Sequence, residues 1–215
     1  MANFNRSKHS LRERSPNPSL KNLRVIVEAR LIPRFLKLTE CGFKLQTETG
    51  LTIRELLCRH LSISADYVDN RIQTIFLDGK PVDDVDTASV ENGSKLALSA
   101  AMPGLVGITL RKGGFYAAFR EKISYTKTED STIKGAAEIT LKLFNMVAKE
   151  LGPELLSTGI RIEGDAFQNF VRRNSEDLKT ACISIHLNDT EIDVATLKET
   201  KWEDQEVFLQ VISEK

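Results

Sequence analysis

Apolar and polar positions alternate through "LRVIVEARL", Leu23 to Leu31, and its β-branched content predicts a strand. "FKLQTE", Phe43 to Glu48, predicts a second strand closed by Gly50. The period then changes. In "TIRELLCRHL", Ile53, Leu56, Leu57 and Leu61 share one helical face, with His60 beside it as a structural histidine. Thr52 followed by Glu55 is a capping box that starts this helix. "IQTIFLDGKPVDD" reads as a strand, an Asp78-Gly79 turn and a short edge strand at Pro81. "VENGSKLALSA" turns at Asn92-Gly93 and ends in a strand with Leu96 and Leu98 on one side. The expected order is strand, strand, helix, strand, short strand, strand. One helix across a mixed sheet predicts a compact α+β unit.

The second half opens with "GITLRKGGFYAAFREKISYT", which predicts two strands joined by a turn at Lys112-Gly113-Gly114. "STIKGAAEITLKLFNMVAKELG" then predicts a long helix capped by Ser131 and stopped by Gly152-Pro153. Its apolar face is Ala137, Ile139, Leu141, Leu143, Phe144, Val147 and Leu151. A short helix is expected near Phe167 to Arg172, and strands in "ACISIHLNDTEIDV" and "QEVFLQVIS". The expected organisation is a basic disordered arm over 1–22, an α+β domain over 23–107 and a second α+β domain over 108–215.

The first unit resembles the β-grasp superfold of ubiquitin and the ThiS/MoaD sulfur carriers. The element order, the capping-box helix and "IFLDGKPVDD" carry the resemblance, with "SKLALSAAMPG" similar to a last strand running into a Pro- and Gly-bearing tail. It covers roughly Leu23 to Gly107 and implies a β-grasp domain more than an activity. An internal spacing also repeats. Leu77 matches Leu187, Val82 matches Ile192, Asp83 matches Asp193, and Leu96 to Leu98 match Val207 to Leu209. This suggests a second, divergent β-grasp-like half enlarged by an insertion after its helix. Any two hairpin-and-strand segments share such spacing, so both readings stay open.

Composition removes several classes of function. The 215 residues are 41% hydrophobic and 28% charged, which supports a packed core. Thirty Lys and Arg balance thirty Asp and Glu, so no global charge argues for nucleic acid or an anionic membrane. Cys41, Cys58 and Cys182 lack metal or redox spacing, and their use fits a reducing cytoplasm. No apolar run is long enough to cross a membrane, and the N-terminal stretch has no secretory h-region. Walker A, HExxH, GxSxG and Rossmann signatures are missing, and no metal or cofactor is expected. Asp83, Asp84, Asp86 and Glu91 gather oxygens, but a solvated turn accounts for them.

What remains is "MPGLVGITLRKGGFYAAFR". The candidate contact residues are Pro103, Gly104, Gly107, Arg111, Lys112, Gly113, Gly114, Phe115, Tyr116 and Arg120. The leading expectation is a non-catalytic protein-interaction or regulatory module, its partner another protein, with this segment as a joint and contact surface. One alternative is a latent carrier or modifier, since Gly113-Gly114 resembles the di-glycine of ubiquitin and the sulfur carriers. That chemistry needs a free terminal glycine, and about a hundred residues follow Gly114. Another alternative is RNA or anion binding, with Phe115, Tyr116 and Phe119 as stacking rings and Arg111, Lys112 and Arg120 as cations.

Overall fold

The computed structural model describes residues 20–120, 123–125 and 135–214. The arm expected up to Ser19 and the Ser131 cap lie outside the described residues. Order begins earlier than expected: β1 (Leu20–Glu28) already includes residues assigned to the arm, and buries Leu23, Val25 and Val27.

Between the two expected strands stands a helix, α1 (Ile32–Cys41), and only then β2 (Phe43–Glu48). Pro33 lies in the first turn of α1, where its missing N–H is not needed and its fixed φ favours the helix. Phe35, Leu36, Leu38 and Thr39 are buried, and Gly42 ends the helix at φ 114°. The capping box is present at α2 (Ile53–Glu55): Thr52 Oγ1 accepts from the Glu55 amide at 3.2 Å, and the Thr52 amide donates to Glu55 at 3.1 Å. The helix then widens into a π-helical turn, Leu56–His60, and a second π turn follows at Tyr67–Arg71. The hairpin of β3 (Thr74–Leu77) and β4 (Lys80–Pro81) turns on Asp78 and Gly79, both at positive φ, before β5 (Lys95–Ser99).

The segment read as a strand hairpin is helical instead: α3 (Gly104–Leu110) and a 3₁₀ helix (Phe115–Arg120) flank the RKGG turn. The segment read as one long helix is divided. Residues Ala136–Phe144 form β6, because Ala137, Ile139, Leu141 and Leu143 recur every second residue and are all buried. Helix α4 (Asn145–Thr158) starts only at Asn145, and Gly152-Pro153 does not stop it. Instead, Gly152 lets α1 approach, since a Cβ there would meet Leu36. The rest is β7 (Ile160–Glu163), α5 (Gly164–Arg173), α6 (Ser175–Ala181), β8 (Cys182–Leu187), β9 (Thr190–Ile192), α7 (Val194–Glu199) and β10 (Glu206–Glu214).

The protein is a mixed α/β structure around one ten-stranded sheet, in the order β4-β3-β5-β6-β2-β7-β10-β1-β8-β9. The two halves of the chain interleave in it. β5 runs parallel to β6, β1 runs parallel to β10, and β2 meets β7 through Lys44 and Arg161. The expected boundary after residue 107 divides the chain but not the sheet. Five strands separate β3 from β1, so Val25 and Val27 are buried at a distance from Ile75, Leu77, Leu96 and Leu98, not in one small sheet with them. On β1, β6 and β10 one alternate set of side chains is buried and the other is half-buried or exposed, so the sheet carries its core on one face.

Candidate functional site

Beside the β3–β4 edge of the sheet lies the α3–3₁₀ hairpin. Its entry is set by glycine. Pro103 caps α3, Gly104 takes φ 76°, and the chain folds so tightly on Met102 that a Cβ at Gly107 would lie 1.7 Å from the Met102 carbonyl oxygen. No other residue fits that approach without moving backbone. The connecting turn uses Gly113 at φ 60°, and the Gly114 amide donates to the Arg111 carbonyl at 3.1 Å.

Charge fastens the hairpin from beneath. Arg120 is only 3% exposed. Its guanidinium donates to the carbonyls of Thr109 (2.8 Å) and Arg111 (3.0 Å), to Ser124 Oγ (3.1 Å) and to Asp83 Oδ1 (2.6 Å). Asp83 also accepts from the Gly113 amide at 3.0 Å and from Ser124 Oγ at 3.4 Å. One carboxylate after β4 therefore gathers three points of the hairpin region. Lys112 Nζ donates to the Val68 carbonyl in the second π turn at 2.7 Å, and its amide donates to Gln73 O at 2.7 Å. Burial pushes the Lys112 ammonium below its usual pKa, an effect the Asp69 carboxylate opposes. Arg111 Nε donates to Gln73 Oε1 at 2.6 Å.

The outward side is apolar. Phe115 is 83% exposed, Phe119 79% and Leu105 73%, and Val106, Ile108, Tyr116 and Ile123 are exposed with them. Phe115 meets Tyr116 edge-on with centroids 5.3 Å apart, and Tyr116 lies 6.0 Å from Phe119. With roughly 150–200 Å² of surface per large side chain, the seven leave on the order of 700–900 Å² open. Apolar patches of about 300–600 Å² are often functional, and here Phe115, Tyr116 and Phe119 adjoin one another.

The structure thus sorts the expected contact residues into three groups. Lys112, Gly113 and Arg120 are bonded to the body and anchor the hairpin, and Arg111, itself exposed, is tied to it through Nε. Phe115 and Tyr116 form part of the open face, while Pro103, Gly104, Gly107 and Gly114 shape the backbone. Arg120 is a buried clamp and not a surface cation, because its guanidinium donors are spent inside. Gly113-Gly114 lies in a bonded turn followed by a 3₁₀ helix. Sequence reasoning missed Leu105, Val106, Ile108 and Ile123 as contact residues, and missed Asp83 as the hub. The spacing Leu105–Ile108 and Phe115–Phe119, three and four apart, carries the helical signal.

The acidic cluster is also accounted for. Asp84 accepts from the Asp86 amide and from Thr87, and Asp86 pairs with Arg54. Among the described residues no group of three or more His, Cys, Asp or Glu could hold a metal ion. A separate cleft of about 450 Å³ lies between the π turns and α4, lined by His60, Tyr67, Leu151, Glu154, Leu155 and Thr158. Near it, Glu150 accepts from Tyr67 Oη at 2.7 Å and pairs with Arg71. No helix among the described residues is long and apolar enough to cross a membrane. Compared with known families, curated proteins and solved structures, the chain gives no match.

Proposed function

We propose that the protein is a non-catalytic interaction module whose contact surface is the apolar face of the α3–3₁₀ hairpin. The observation that carries this reading is the contrast between the two sides of that hairpin. Arg120 and Lys112 are turned inward and bonded and Arg111 is tied to Gln73 at Nε, while seven large apolar side chains face water. Clamping also lowers the entropy that a partner must offset on binding.

A β-grasp-like character in the first half belongs to the same proposal. It is supported by the capped α2, the β3–β4 hairpin and β5 running antiparallel to β3. Helix α1 and the pairing of β5 with β6 depart from the simple order. The three cysteines are unpaired, which supports a reducing cytoplasm as the site of action.

The test is capture from native extract by the parent and by the double variant Phe115→Asp/Phe119→Asp. A buried aromatic hot spot is worth about 2 kcal/mol or more, so capture should fall by at least ~30-fold. Equal capture by the variant, with its fold intact, would remove the reading.

A further inference from the structure

We infer that the occupant of this surface is the same surface of a second copy of the chain, in an isologous two-fold dimer. The inference rests on reading the hairpin as a docking surface and names what docks there. Area is the first argument. Each partner of a standard interface contributes about 800 Å², and the open apolar face offers on the order of 700–900 Å². Two such faces therefore match without leaving a large apolar remainder.

Charge is the second argument. In an isologous contact every feature of the patch meets that same patch on the other copy, so a charged face repels itself. Here two of the segment's described cations are withdrawn: Arg120 is buried against Asp83 and Lys112 reaches back to the Val68 carbonyl, while the exposed Arg111 is held at Nε by Gln73. Apolar attraction has no direction, so the exposed apolar side chains are complementary to their own copies. Phe115, Tyr116 and Phe119 supply the aromatic anchors that concentrate binding energy at interface centres. Because the hairpin is already fastened, little is lost in ordering it.

The experiment is sedimentation velocity on the full chain from about 1 to 100 µM, a range suited to interfaces of this size. The parent should sediment as a dimer at the upper end. Phe119→Asp and, separately, Leu105→Ser should sediment as monomers with the parent's circular dichroism and Tm. Ile183→Asp, an exposed apolar position on β8, should remain dimeric. A parent that is monomeric at 100 µM overturns the inference. So does a dimer that survives Phe119→Asp but is lost in Ile183→Asp. If the parent is monomeric yet captures another protein, or floats with phosphatidylcholine vesicles, only while Phe115 and Phe119 are intact, self-pairing fails and the docking surface stands. If it is monomeric and the double variant captures as well as the parent, both fail.

Discussion

At residue scale the clamp depends on Asp83. Its carboxylate holds groups 30, 37 and 41 positions further along the chain. Asp83→Ala leaves the Arg120 guanidinium buried without its counter-ion. Hydrogen bonds to charged groups contribute about 1.5–3 kcal/mol, and a loss in that range is predicted by denaturant unfolding. The same variant should speed amide exchange across residues 104–120 before the rest of the protein; parental stability and exchange would show that the clamp contributes nothing. Glu150 gives a pH prediction. Its hydrogen bond from Arg71, then that from Tyr67, holds its pKa down from the ordinary 4.5 to about 2. A carboxylate depressed in the fold stabilises it fully above its unfolded pKa and loses that effect as pH falls through the folded one. Glu150→Gln should therefore flatten the loss of stability between about pH 4.5 and 2, and an unchanged acid-unfolding curve would contradict this. Cysteine reactivity separates by position as well. Cys41 is exposed, whereas burial pushes the Cys182 thiol up to about 11. Iodoacetamide at pH 8 should label Cys41 well before Cys182, as peptide mass spectrometry would show.

At the scale of elements, local chemistry was legible where short-range bonds decide the outcome. The Thr52–Glu55 box and the Asp78-Gly79 turn are both made by neighbours in sequence, and both stand as read. Helix α1 was missed although Pro33 suits its first turn and Phe35, Leu36, Leu38 and Thr39 behind it supply its buried positions. Strand β6 was misread although Ala137, Ile139, Leu141 and Leu143 alternate with Glu138, Thr140 and Lys142, because that apolar set runs on without a break into Val147 and Leu151 of α4. What makes it a strand is pairing with β2 and β5, which lie far away in sequence. Gly159 tests the junction of α4 and β7. Its φ of 106° and ψ of 136° suit glycine, and a Cβ would strike the Phe208 ring. Gly159→Ala is predicted to cost about 1–3 kcal/mol by thermal or denaturant unfolding, and a neutral result would argue against the junction.

At the scale of the whole molecule, single strands and turns were legible, but their arrangement in one sheet was not. The spacing of Leu77 and Leu187 falls at the ends of β3 and β8. Nothing in that spacing says that β6 lies beside β5, or that β10 lies beside β1. The candidate segment was legible as a concentration of glycine and aromatics, while the bonding of its cations depends on Asp83, Gln73 and Val68, which only the fold brings near. Interleaving leads to a further expectation. Residues 20–107 alone lack the partners β6, β8 and β10, so this fragment should show no cooperative unfolding transition. A sharp calorimetric transition would show that the first half folds by itself.

The central claim is that Phe115 and Phe119 are held in water by a fixed scaffold and become covered on association. Hydroxyl-radical footprinting reads this directly, first in dilute chain and then in the assembled complex. In dilute chain both rings should be oxidised heavily while the buried Trp202 is spared, and on assembly both should become protected. Rings as protected as Trp202 in the dilute chain, or rings oxidised equally before and after assembly, would contradict the account.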